Sequence, residues 1–225
     1  MGEMILQAKS ICKSYSNGKN QLTVLDNFSL DVAVGEIVTI MGQSGSGKST
    51  ALNILGTLDE LDSGELVLDG NPIQFLKEKE LATLRNQDIG FVFQFHHLLP
   101  EFSALENALM PTWIHNKIGH EELAKSLFEK MGLTERMEHL PSQLSGGERS
   151  RVAVIRALMN QPKILLADEP TGNLDEKNAN KLIDLLCEIN KDFHQAIVLT
   201  THNPQVARIG HKQFTLENGS LIQKI

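Results

Sequence analysis

The chain has 225 residues, 41% of them hydrophobic, which is enough for one large core with a smaller subdomain attached. With 21 Lys and Arg against 28 Asp and Glu, the net charge is −7, and no basic run of the kind that phosphate neutralisation requires is present, so nucleic acid is disfavoured as a partner. Cys12 and Cys187 lie far apart in no metal-ligand spacing and read as reduced thiols of a cytoplasmic protein.

The start, Met1-Gly2-Glu3-Met4, is acidic and leads into no long apolar stretch, so it does not read as a signal peptide, and Leu6 breaks the myristoylation pattern. Between Val24 and Val34, the apolar Phe28, Leu30 and Val32 alternate with polar residues, the pattern of a half-buried strand. Gly35-Glu36 makes a turn, and Ile37 to Met41 fits a buried parallel strand. Ala51 to Leu58 has helical spacing, Glu65 to Ile73 reads as a hairpin around Asp69-Gly70, and Ile89 to Phe93 is another buried strand.

From about Ser103 to Asn160 the signals are helical. Ser103 with Glu106 forms a capping box, Glu121 to Met131 is amphipathic and ends at Gly132, and Ser145 with Glu148 forms a second box opening a helix that runs to Asn160. Ile164 to Ala167 is a strand, Glu176 to Asn190 a helix, Ile197 to Thr200 a strand, and Phe214 to Ile225 a hairpin around Asn218-Gly219. No window approaches the ~20 apolar residues of a membrane span. The expected architecture is α/β, a mixed-sheet core from about 1–93 and 162–225 with a helical subdomain inserted at about 94–161.

Gly42-Gln43-Ser44-Gly45-Ser46-Gly47-Lys48-Ser49, followed by Thr50, fits the phosphate-loop pattern at every fixed position, between a buried strand and a helix. Its glycines let successive N–H groups point at phosphate oxygens, and the helix beginning near Lys48 adds the positive end of its dipole. The pattern assigns Lys48 to the β and γ phosphates of ATP and the Ser49 hydroxyl to Mg²⁺. Asp168 and Glu169 follow four apolar residues and so stand at a strand's C-terminal end, where α/β ligands bind. Asp168 is expected to hold Mg²⁺ and Glu169 to act as general base, the metal offsetting the repulsion of the two carboxylates.

Leu144-Ser145-Gly146-Gly147-Glu148 resembles the signature of ABC ATPases, as does the order of motifs along essentially the whole chain. The resemblance implies a P-loop nucleotide-binding domain that pairs head to tail with a second copy, each Ser145–Glu148 segment closing over the other copy's γ-phosphate. Glu148 stands where the family more often has Gln. The resemblance also implies that Tyr15 stacks on adenine, Gln94 senses Mg²⁺ and water, Asn173-Leu174-Asp175 crosses the dimer interface, and His202 contacts the γ-phosphate. Gln94 to Asn107, which includes His96-His97, is similar to the lipoprotein-releasing branch of Gram-negative bacteria. It is expected to face an integral membrane permease subunit at the cytoplasmic face of the inner membrane. Macrolide or peptide exporters and cell-division ATPases of the same branch, a soluble non-transport member, and a P-loop small-molecule kinase are the alternatives.

Overall fold

The computed structural model describes residues 3–18, 20–114 and 120–224. Met1-Gly2, the 115–119 stretch of the helical third, and the last residue of the expected C-terminal hairpin, Ile225, lie outside them. Among the described residues, ten strands form two sheets. One has six strands in the order β10 (Ser220–Gln223), β9 (Lys212–Glu217), β3 (Ile37–Met41), β8 (Ala196–Thr201), β7 (Ile164–Asp168) and β6 (Ile89–Val92), parallel throughout except for the β9–β10 hairpin. The other is antiparallel, in the order β2 (Asn20–Ala33), β1 (Met4–Asn17), β4 (Ser63–Leu68) and β5 (Asn71–Pro72).

The apolar runs of β3, β7 and β8 are covered on both faces, which is why they carry no polar alternation. Their side chains alternate between two buried clusters. Val38, Ile40, Leu166 and Val198 pack with α1 (Lys48–Leu55) and the antiparallel sheet. Ile37, Leu165, Ala167, Ile197 and Leu199 pack with α3 (Ala104–Trp113), α4 (Glu121–Lys130), α5 (Gly146–Leu158) and α6 (Glu176–Phe193). The inserted helices therefore share one continuous core with a sheet face. Among the described residues, no helix is long and apolar enough to cross a membrane.

Four elements depart from the sequence reading. β1 carries no clear alternation because its register shifts near Ser10, which has φ 49°; the shift moves the buried parity from Leu6 and Ala8 to Ile11 and Lys13. A helix, α2 (Glu78–Gln87), goes undetected because Leu84 is its one buried residue. The expected helix ends also move. α5 stops at Leu158, and Asn160 beyond it donates to the carbonyls of Asn86 and Pro111. α6 runs on to Phe193, where His194 at φ 50° takes the left-handed cap position usually given to Gly.

Gln94 to Asn107 is held as a unit. Asn107, 1% exposed, accepts from the Leu99 amide at 2.7 Å and shares its own amide hydrogens among the Leu99, Phe102 and Ser103 carbonyls. Arg156 donates to the His96 and His97 carbonyls, both at 2.7 Å. Asn107→Ala strands these buried groups and should cost about 2–4 kcal/mol in urea unfolding; a loss below about 0.5 kcal/mol would show that the segment holds its shape without them.

Candidate functional site

The C-terminal ends of β3, β7 and β8 lie side by side, with Met41 paired to Thr201 and Asp168 to Thr200. Each strand hands the chain to a site segment at that edge: Gly42–Thr50 after β3, Glu169 after β7 and His202 after β8. An open cleft of about 630 Å³ there is lined by Val24, Ser44, Gly45, Gly47, Lys48, Ser49, Thr50, Gln94, Glu169 and His202. Gly42, Gln43 and Ser46 face a second depression beside the β9–β10 hairpin, so the loop forms a wall between the two.

The loop's shape depends on glycine at two places. Gly47 has φ 100° and caps α1, and a Cβ there would lie 2.8 Å from Val24 Cγ1. At Gly42 a Cβ would lie 2.4 Å from Ser46 Oγ. α1 begins at Lys48, three residues earlier than its apolar spacing indicates, so the amides of its first turn open on the cleft.

Lys48 is 5% exposed. Its ammonium donates to the Gly42 and Gln43 carbonyls, both at 3.0 Å, and lies 3.2 Å from Glu169 Oε1. The other Glu169 oxygen, Oε2, is 2.8 Å from His202 Nδ1. Burial raises the Glu169 carboxyl, but the hydrogen bonds and charges of His202 and Lys48 outweigh it and hold the group below the usual carboxylate range. Glu169 sits at φ 42°, a conformation that costs a non-Gly residue energy; its N–H is held by the Thr200 carbonyl at 3.2 Å and the Thr200 hydroxyl at 3.1 Å.

Asp168 Oδ1 accepts from the Thr200 hydroxyl at 2.7 Å. Glu169 meanwhile is balanced by Lys48 and bonded to His202, so the two neighbouring acids have separate partners. Thr200, at the end of an apolar run, organises both acids and carries no motif that would have marked it. The Ser49 hydroxyl, the Gln94 amide and the Asp168 carboxylate form a hard oxygen donor set, and the first two line the cleft, so these residues fit Mg²⁺.

Tyr15 and the Ser145–Glu148 segment do not line the cleft. The Tyr15 hydroxyl donates to Asp59, and the Thr50 side chain, which lines the cleft, lies close to the phenol. At the start of α5, Ser145 Oγ accepts from the Glu148 amide at 3.3 Å and Glu148 Oε2 accepts from the Ser145 amide at 2.7 Å, a reciprocal cap. The Ser145 amide, with Arg136 alongside, holds the Glu148 carboxyl below its ordinary value. The two signature glycines differ in reason. A Cβ on Gly147 would meet Asn178 Oδ1 at 2.8 Å, so this glycine serves packing against α6, whereas Gly146 meets nothing nearer than 3.8 Å and is the one open to close approach. Asp175 caps α6, and the Asn173 side chain donates to the Gln94 carbonyl at 3.1 Å, tying the 173–175 loop to Gln94.

The sequence profile of the ABC transporter family matches residues 25–172. The lipoprotein-releasing system ATP-binding protein LolD 2 of Chlorobaculum tepidum is 49% identical over 226 residues, covering 97% of this chain and 92% of that protein. LolD of Bordetella pertussis is 49% identical over 218 residues, covering 96% and 94%. An ATP-binding cassette solved as a dimer in a post-hydrolysis state bound to ADP and Pi superposes with a TM-score of 0.90 at 37% identity, over 97% of each chain.

Replacing Lys48 by Ala removes the ammonium bonded to Glu169 Oε1 and, where the 42–50 loop cradles a triphosphate, the charge-assisted bonds that ammonium would make to it. Nucleotide affinity measured by titration calorimetry should fall by at least about 100-fold. Binding within about threefold of the parent would exclude the 42–50 loop as the phosphate cradle.

Proposed function

The chain belongs to the ABC transporter family, and on that premise we propose that it is the ATP-hydrolysing subunit of a lipoprotein-releasing transporter, peripheral at the cytoplasmic face of the inner membrane. Both curated relatives described above carry the lipoprotein-releasing name, which favours that cargo over macrolide or peptide export and cell division. The observation that carries the catalytic reading is the Lys48–Glu169–His202 chain, with contacts of 3.2 and 2.8 Å, set at the N-terminus of α1.

The 42–50 amides and Lys48 bind the β and γ phosphates of ATP. Ser49, Asp168 and Gln94 would hold Mg²⁺, which supplies charge neutralisation for the phosphates when bound. As the Lys48 ammonium turns to the γ-phosphate, Glu169 loses its strongest cationic partner and regains basicity. It then accepts a proton from the attacking water as the water oxygen bonds to the γ-phosphorus and the bond to the β-phosphate oxygen breaks, releasing ADP and phosphate. His202 steadies Glu169 through Oε2 and stands at the cleft mouth for the γ-phosphate. The Ser145–Glu148 helix start, which lies outside its own cleft, is supplied to that cleft by a second copy.

The membrane subunit fits a largely apolar groove of about 540 Å³ between α2, β6 and α3, where Phe91, Phe93, Met110 and Ile114 meet Arg156, the residue that anchors the His96 and His97 carbonyls. Binding energy that differs between open and closed dimers is what moves such a partner.

Glu169→Gln removes the proton acceptor and keeps the shape. Hydrolysis should drop by about 100- to 10,000-fold, while light scattering with saturating ATP reports a doubled mass. A variant that hydrolyses ATP at the parent rate would remove Glu169 from the mechanism, and one that stays monomeric would remove the trans signature. For the cargo, co-purification of the chain with its membrane subunits and ATP-dependent release of a labelled lipoprotein from inner-membrane vesicles is the expected result; release of none, with a peptide or macrolide exported instead, would reassign it.

A further inference from the structure

Beside the phosphate site lies a second polar network that phosphate chemistry does not use. Lys13 is 8% exposed in the middle of β1. Its ammonium donates to Asp59 Oδ1 at 3.0 Å and to the Glu60 carbonyl at 2.5 Å, with Asp62 Oδ1 at 3.8 Å. Asp59 Oδ2 accepts the Tyr15 hydroxyl at 2.5 Å, and the Ser14 amide donates to Asp62 Oδ2 at 2.7 Å. The Lys13 ammonium also stands over the Tyr15 ring, 5.2 Å from its centroid. Asp59 is itself fixed to α1, since the Leu58 and Asp59 amides both donate to the Asn53 carbonyl.

A buried ion pair of this kind adds little stability over a well-packed apolar pair, because desolvation offsets most of its attraction. What an apolar pair cannot do is set direction. The phenol bond to Asp59 fixes the rotation and depth of the Tyr15 ring, and the Lys13 ammonium covers one of its faces, leaving only the other for a base. Because Asp59 hangs on the helix whose first turn holds Lys48, Ser49 and Thr50, ring and phosphate cradle are tied to one rigid element. Deprotonation is opposed at Tyr15 by its bond to Asp59 and then by burial, which together lift the phenol above its ordinary value, so it remains a donor at neutral pH.

We propose that Lys13 and Asp59 are positioning residues for base recognition: they fix the Tyr15 ring relative to α1 and the phosphate cradle and leave one of its faces for an adenine base. The proposal rests on the reading of Tyr15 as the residue that stacks on adenine. The two are separated by measuring dissociation constants for ATP and for inorganic tripolyphosphate in the parent, Tyr15→Ala, Tyr15→Phe and Asp59→Ala, with thermal melts to confirm folding. Tyr15→Phe keeps the ring and the Lys13–Asp59 pair and cuts only the tether, so it carries the test even if Asp59→Ala fails to fold. The expected result is that Tyr15→Phe and Asp59→Ala each weaken ATP by about 3- to 10-fold with tripolyphosphate unchanged. Tyr15→Phe combined with Asp59→Ala should be no weaker than Asp59→Ala alone. If Tyr15→Ala weakens ATP selectively while Tyr15→Phe binds ATP as the parent does, stacking stands and positioning is overturned. If Tyr15→Ala leaves the ratio of the two constants unchanged, the stacking reading falls and the proposal with it.

Discussion

The contact between Lys48 and Glu169 sets the terms for the rest of the site. Lys48 is nearly buried, and a buried ammonium must be fully bonded or it unfolds its surroundings or loses its proton. Two carbonyls of its own loop and one oxygen of Glu169 meet that demand. These bonds hold the 42–50 segment in its curled form and hold Glu169 in a conformation that its backbone would not choose. They also keep the carboxylate a weak base. On the proposed mechanism a triphosphate competes with Glu169 for this one ammonium, so phosphate binding and the arming of Glu169 occur together.

That arrangement requires three strand ends to be fixed relative to one another within a fraction of an ångström. The two-sided burial of β3, β7 and β8 supplies this. Adjacent residues of each strand belong to different cores, one under the antiparallel sheet and one under the helices, so a strand cannot slide by one residue without exchanging its whole side-chain set between them. Thr200 then converts strand register into side-chain placement. Its hydroxyl donates to Asp168 Oδ1 and accepts from the Glu169 amide, fixing one side chain and the backbone that carries the other.

Features that depend on a few neighbouring residues were legible in the sequence. The phosphate loop, both capping boxes and the buried strands follow from local chemistry, and the structure forms each at or within a few residues of the expected place. Features that depend on distant partners were not. β1 hid its parity behind the shift at Ser10, and α2 had almost no apolar face to show. The Lys48–Glu169 pair joins residues far apart in the chain, and nothing near Glu169 announces it. The same holds for Asn107 and Arg156, which read as an ordinary helical polar residue and cation yet hold the 94–107 segment in shape. Gly147 was legible as a required glycine, but its reason, contact with Asn178 on α6, was not.

The separation of the Ser145–Glu148 helix start from the cleft of its own chain has a mechanical consequence. Glu148 is already committed to the Ser145 amide and to Arg136, so its charge is largely satisfied within the chain and does not oppose an anion at the helix end. Gly146 leaves that end open, and the adjoining 173–175 loop is tied through Asn173 to Gln94, which lines the cleft and borders the 94–107 segment. On the proposed reading, a second copy completes the site and association becomes part of the chemistry. The 173–175 loop, which that reading places at the junction of the copies, is bonded to the segment proposed to meet a membrane partner. No described helix can cross a membrane, so in the proposed transporter closure of two copies reaches the membrane subunit through contacts such as the Asn173–Gln94 bond.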